Sequence, residues 1–273
     1  MPPITEVLQL VVLLILAGGV AGFLAGLFGI GGGAVLVPVF YQAFALAGVD
    51  EAVRMQLCVG TSLAIIVPTS LRSFQAHYRR GAVDMSVLRR WVVAVPLGAV
   101  LSTFVIAYAP ADVLKGAFAV ITLLIGLKML YRKSSQWRLG NDLPKNPALF
   151  GCGTLIGLLS GLIGIGGGTL NNTFMTLYNR PMHQAVATSS GVGILIALPT
   201  IVGNIWGGWG RAGLPPLSTG FINWAAVLLI IPITMLVAPL GAKAAHALTN
   251  RQLSVLFGLF LLTISARFFY ALM

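Results

Sequence analysis

Two glycine runs carry the first chemical suggestion in this chain. Gly26-Leu-Phe-Gly-Ile-Gly-Gly-Gly33 returns as Gly161-Leu-Ile-Gly-Ile-Gly-Gly-Gly168, with seven of eight letters identical. Glycine has no Cβ, so backbone built from it can approach a ligand closely and take angles that break a helix. A helix starting directly after such a break presents unpaired N–H groups and the positive end of its dipole, which together attract anions. Gly29, Gly31, Gly32 and Gly33 in the first run, and Gly164, Gly166, Gly167 and Gly168 in the second, are therefore candidate anion-binding positions. The plainer reading of glycine in apolar sequence is a surface for close helix packing. Duplication ahead of short apolar segments favours binding. A nucleotide-phosphate loop is disfavoured, because no Lys-Ser or Lys-Thr follows either run.

Hydroxyls recur with the same duplication. Val59-Gly-Thr-Ser62 is answered by Val186-Ala-Thr-Ser189, with Ser190 next in line. Thr61, Ser62, Thr188 and Ser189 could donate to an oxyanion. Their competing use is to bond the preceding carbonyls of their own helix. Asn171 and Asn172 follow the second glycine run where the first has Leu36 and Val37, so the expected site is asymmetric. Pro68 and Pro199 would kink the segments bearing these hydroxyls.

Other chemistry is sparse. Cys58 and Cys152 lie in apolar sequence and read as small buried hydrophobes, although Cys58 is one turn from Thr61 and a role toward a sulfur substrate is weighed against packing. The three histidines have no Cys or carboxylate at ligand spacing, so neither a metal nor any other cofactor is expected. Glu6, Asp50, Glu51, Asp84, Asp112 and Asp142 all fall at segment ends or in loops. That argues against a cation site and against a proton relay through a buried carboxylate. Arg72 is the basic residue nearest the inside of an apolar stretch, while Arg54 and Arg180 stand where they could attract anions to the two mouths of a path.

The elements that must position these groups are set by the medium. Hydrophobic residues make up 58% of the 273 and charged residues 8%, against about a quarter charged in a soluble domain. Such a chain belongs in lipid, and runs of about 20 apolar residues, the length of a membrane span, recur along it. No cleavable signal peptide is expected, since the N-terminus lacks a basic region. The net charge of +11 is read as loop charge on the cytoplasmic face rather than as a nucleic-acid footprint.

Ten apolar segments fall into two sets of five: 4–28, 34–47, 54–76, 87–109 and 111–131, then 147–163, 169–179, 183–206, 221–246 and 251–272. The expected fold is an all-α polytopic membrane protein of two inverted structural repeats, with about eight to ten transmembrane segments. The first repeat covers residues 1–131, a basic cytoplasmic linker 132–146, and the second repeat 147–273. Pro96-Leu-Gly-Ala99 and Pro239-Leu-Gly-Ala242 extend the match. The second segment of each set would be about 15–21 Å long as a helix, shorter than the bilayer's hydrocarbon core of about 30 Å. Each is expected to be a broken or re-entrant helix, tolerated at membrane depth only where protein or a water-filled cavity satisfies its backbone. Arg79, Arg80, Arg89 and Arg90 with the basic linker set the cytoplasmic side, Arg211 alone falls outside, and both termini come out external.

Gly26 to Pro38, Val59 to Leu63 with Pro68 beyond, Gly161 to Leu170 and Ala185 to Ser190 resemble the sulfite exporter TauE/SafE family of membrane permeases, and the likeness runs from Val11 to Tyr270. The resemblance implies an inner-membrane protein of two homologous halves that moves small sulfur-containing or carboxylate anions. The asparagines at 171 and 172 depart from it. The function expected is secondary transport of a small anion, most directly export of sulfite or a related organosulfonate, with uptake of a small carboxylate or sulfonate, or an anion channel, as alternatives. An enzyme is not expected. The partners expected are the anion and membrane lipid, with a homodimer left open.

Overall fold

The structure, a computed structural model, describes residues 12, 15, 16, 18–24, 33–131, 139–246 and 248–272. Its elements in order are α1 (18–24), α2 (Gly33–Leu46), α3 (Glu51–Arg79), α4 (Met85–Tyr108), α5 (Ala111–Leu130), α6 (Ala148–Ile163), α7 (Gly168–Leu177), α8 (Met182–Gly207), the strands β1 (Ser218–Thr219) and β2 (Ile222–Asn223), α9 (Trp224–His246) and α10 (Asn250–Tyr270). The protein is an all-α polytopic membrane protein. Among the described residues, four helices are long and apolar enough to cross a membrane: Glu51–Arg79, Met85–Tyr108, Ala111–Leu130 and His183–Gly207. α2 and α7 are short, 14 and 10 residues, as the sequence predicts. The apolar segment expected at 221–246 starts its helix only at Trp224, because residues 218–223 turn back as a tight hairpin pairing Ser218 with Asn223.

Helix starts follow local chemistry. Asp50 accepts from the Ala52 N–H at 3.0 Å, and Asp84 accepts from Ser86 and Val87 N–H at 3.1 and 3.3 Å, so two of the chain's few carboxylates serve as N-caps. Thr249 and Gln252 form a capping box at α10.

The helices cross at glycine. α6 carries Gly153, Gly157 and Gly161 at four-residue spacing, all on one face. A Cβ at Gly153 would meet the Trp91 ring, one at Gly157 the backbone of Val95 and Ala99, and one at Gly161 the Ser102 hydroxyl. This stripe lies flat on α4. α5 and α10 cross where Gly126 and Gly258 approach each other reciprocally: a Cβ on either would lie 3.1 Å from the other's carbonyl oxygen.

Contacts fix the directions. The first residues of α8 bond the start of α4 through Thr188, while Gly203 and Gly207 near its end face Thr103 and Ala107 near the end of α4. α8 therefore runs parallel to α4 and antiparallel to α3. α10 begins where α5 ends, with the Arg251 guanidinium donating to the Met129 and Leu130 carbonyls at 3.2 and 2.7 Å. The counterparts α3 and α8, and α5 and α10, thus run antiparallel, the relation an inverted repeat requires. Arg79, Arg80, Arg89, Arg90 and Arg251 gather at one end of the bundle. Leu101, Phe104, Val105, Leu124, Leu198, Val202 and Leu228 are exposed along the flanks, a lipid-facing belt, and Tyr108, Trp206 and Trp209 ring the end opposite the arginines.

Candidate functional site

The site is built on the gap between α6 and α7. Gly164, Gly166 and Gly167 have φ of 68, 64 and 78°, the left-handed region, and this is why three glycines stand around one isoleucine here. Gly164 ends α6 in a Schellman turn, its N–H donating to the Gly161 carbonyl at 3.3 Å and that of Ile165 to Ser160 at 3.2 Å. Gly167 is the N-cap of α7 and supplies no side chain to the first-turn amides, which therefore remain free of capping.

Gly33, the last glycine of the first run, packs directly against the second run. A Cβ at Gly33, the first residue of α2, would collide with the Gly164 carbonyl oxygen and lie 2.6 Å from the Ile165 Cα. Ser62 donates to that Gly164 carbonyl at 3.0 Å, tying α3 to the break. α3 lies on one side of the break through Val59 and Ile66, and α8 on the other through Val192 and Ile196. The break is thus clamped between the two halves. Gly29, Gly31 and Gly32 lie outside the described residues.

Against the break is a cavity of about 40 Å³, lined by Ile165, Gly166 and Gly168 at the break, by Ile66, Thr69, Ser70 and Ser73 of α3, and by Val186, Ser189 and Ser190 of α8. A space of this size holds one small polar solute or a few waters. No charged side chain lines it, so an anion there would be met by hydroxyl and amide groups alone. Ser189 links the cavity to α7: the Asn171 Nδ2 donates to Ser189 Oγ at 2.6 Å, and Ser189 Oγ reaches the Asn172 Oδ1 at 2.5 Å and the Ala185 carbonyl at 2.8 Å. One hydroxyl proton serves one of these acceptors at a time. Around the break, the buried Ser160 Oγ, Thr169 Oγ1 and Asn171 Oδ1 have no hydrogen-bond partner among the described residues.

The hydroxyls expected from sequence divide by role. Ser189 reaches the cavity. Ser62 secures the break. Thr61 and Thr188 bind the opposite half instead: Thr61 Oγ1 accepts from the Asn223 N–H at 3.1 Å, and Thr188 Oγ1 from the Asp84 N–H at 2.9 Å. Asn223 and Asp84 stand at the starts of α9 and α4, and each also accepts from its own helix's first turn. The two bonds are therefore equivalent by the repeat. Ser190 lines the cavity while its hydroxyl returns to the Ala187 carbonyl at 2.6 Å.

Thr69, Ser70 and Ser73 are added by the structure. Their signal in the sequence is Pro68-Thr69, which the second half repeats as Pro199-Thr200. Thr69 donates to the Ile65 and Ile66 carbonyls at 3.1 and 3.0 Å, close to the carbonyl that Pro68 leaves without an amide partner. Lys115 is the other addition. It is 1% exposed and pairs with Glu51 at 2.5 Å and Asp112 at 2.9 Å, so among the described residues the buried cation is Lys115, whereas Arg72 is exposed. Arg54 donates to the Val49 carbonyl at 3.1 and 2.7 Å and lies 5.3 Å from the Tyr41 ring centre. Arg180 lies 3.8 Å from Asp142. Cys58 is fully buried among apolar residues of α3.

The family model described as sulfite exporter TauE/SafE matches residues 14–268. The chain belongs to this family. A probable membrane transporter protein of Haemophilus influenzae is 32% identical over 259 residues, 95% of this chain and 98% of the relative. One of Methanocaldococcus jannaschii is 28% identical over 92% of each chain, and YunE of Bacillus subtilis, another probable membrane transporter protein, is 24% identical over 95% and 97%. No solved structure matches. As a TauE/SafE member this chain is an integral membrane transporter, and the glycine break lies well inside the matched span.

Proposed function

We propose that this TauE/SafE protein is a secondary transporter of a small anion, most directly an exporter of sulfite or a related organosulfonate, in a bacterial inner membrane with both termini external. The observation that supports this reading is the uncharged, hydroxyl-lined cavity against the α6–α7 break. Gly166 and Gly168, at the uncapped start of α7, line a space of the size of one small solute, between α3 of the first half and α8 of the second. Binding there needs no resident cation, so the anion is not trapped. Transport follows from rocking of the repeats about this site. An inside-negative membrane then drives each anionic charge outward by about 2.3 kcal/mol per 100 mV.

The test is thermal stabilisation of purified protein by sulfite, sulfate, thiosulfate, sulfoacetate, taurine, acetate and chloride. A ligand at 100 times its dissociation constant stabilises the folded state by about 2.7 kcal/mol. Selective stabilisation by sulfite or a sulfonate is the expected outcome, with about tenfold weaker binding in Ser70→Ala, the worth of one hydrogen bond. Stabilisation by acetate alone redirects the reading to carboxylates. A flat response to all seven overturns it. Counterflow exchange in liposomes separates a transporter from a channel, which shows none.

A further inference from the structure

A second cavity lies at the other end of α3. It measures about 210 Å³ and is bounded by the first turn of α3 (Ala52, Val53), by Gln56, by the end of α4 and its connection to α5, and by Arg211 and Phe221 from the α8–α9 connection. Gln56 and Ile66, which line the two cavities, are ten residues apart on one helix, about 15 Å. Between them the interior is closed by three ties: Gly60 pressed against the Phe221 carbonyl, and the bonds from Thr61 to Asn223 and from Ser62 to Gly164 described above. The glycine-break cavity therefore lies toward the arginine-rich end of the bundle and this one toward the other.

Two polar side chains, Arg211 and Gln56, line this space with hydrogen-bonding capacity to spare. Arg211 Nη2 donates to the Ala107 carbonyl at 3.2 Å, which leaves most of a five-donor guanidinium available. Gln56 Nε2 donates to the Ala109 carbonyl at 3.4 Å. Gln56 is 5% exposed, yet its Oε1 has no hydrogen-bond partner among the described residues. A buried acceptor without a donor costs free energy, so a ligand bringing a donor gains by it. Two carbonyls at the end of α4, those of Ala107 and Ala109, would repel an anion and are already engaged by Arg211 and Gln56. Of the neighbouring carboxylates, Glu51 is paired with Lys115 and Asp50 caps α3.

We propose that this cavity is a second anion subsite, at the end opposite the arginines, for a small oxyanion that also carries a hydrogen-bond donor, such as a hydroxylated sulfonate or carboxylate. Arg211 takes the charged oxygens and Gln56 Oε1 takes the donor. The proposal rests on the anion-transport reading and adds to it a preference and a side.

Isosteric probes test it. 2-Hydroxyethanesulfonate and 1-propanesulfonate differ only in hydroxyl against methyl, as do glycolate and propionate. Binding to the purified protein and counterflow in liposomes are measured with each pair. Wild type is expected to favour the hydroxylated member by about tenfold, the worth of one hydrogen bond. Gln56→Leu and Gln56→Met are expected to abolish that preference, and Arg211→Gln to weaken both members of each pair. Transport without discrimination, or discrimination that survives both Gln56 variants, overturns the subsite and leaves the anion-transport reading standing. No binding or transport of any anion by the wild type overturns both.

Discussion

At the residue scale, one eight-letter run does two different jobs. Gly161 is a packing glycine, pressed on Ser102 of α4, whereas Gly164, Gly166 and Gly167 make the left-handed turn that frees the start of α7. The packing reading of the motif is therefore realised at Gly161, while the proposed anion site rests on the turn at Gly164, Gly166 and Gly167. Gly167→Ala forces a Cβ into left-handed backbone and to 2.6 Å from Ile196 Cδ1, so a loss of about 2–4 kcal/mol in stability is expected from strain and overpacking. Thermal unfolding in detergent checks this, and Gly167→Leu should abolish anion binding in whatever fraction still inserts. Ser62→Ala leaves the buried Gly164 carbonyl without its donor and should cost about 1–3 kcal/mol by the same measurement. A cost near zero would mean that the carbonyl finds water, and that the break is wetter than its burial suggests.

At the element scale, α6 has too little length to carry stability by itself and draws it from the flat crossing on α4. Gly157→Leu drives a side chain into the Val95 carbonyl, so overpacking of about 1–3 kcal/mol or more is expected. An exposed-face control, Gly151→Leu, meets nothing within 4 Å and should be nearly neutral. Comparing the two by thermal unfolding separates crossing geometry from general intolerance of bulk. The hairpin of β1 and β2 matters at this scale too. It brings Asn223 to Thr61, and the α3–α4 turn brings Asp84 to Thr188, so each half grips the third helix of the other. Thr61→Val and Thr188→Val each strip an N–H, buried at Asn223 and part-buried at Asp84, of its acceptor and are expected to cost alike, about 1–3 kcal/mol. Unequal costs would argue against equivalence of the two bonds.

At the scale of the whole molecule, α3 joins two cavities at opposite ends through a closed middle, the arrangement alternating access needs. In a Cys58→Ala, Cys152→Ala background, Ser70→Cys should react with a membrane-impermeant thiol reagent only from the arginine-rich face, and Arg211→Cys only from the other. Reaction of both from one face would overturn the proposed orientation. Composition, the recurring apolar runs and the duplicated motifs made the membrane, the helices and the two sets of segments legible in sequence, because lipid leaves a backbone few choices. The short α2 and α7 were legible too, since a glycine run ahead of a ten- to fourteen-residue apolar stretch has no other good use. What sequence could not assign was which partner each polar group takes. Thr61 and Ser62 are neighbours in the chain, yet one receives a bond from residue 223 and the other gives one to residue 164. Lys115 sits near the start of an apolar helix, and only the fold brings Glu51 to it. Local sequence determines what a segment can form, because its own backbone bonds and side-chain burial are settled within a few turns. Partners a hundred residues apart are settled only by how the helices cross, and that was decided by the tertiary structure alone.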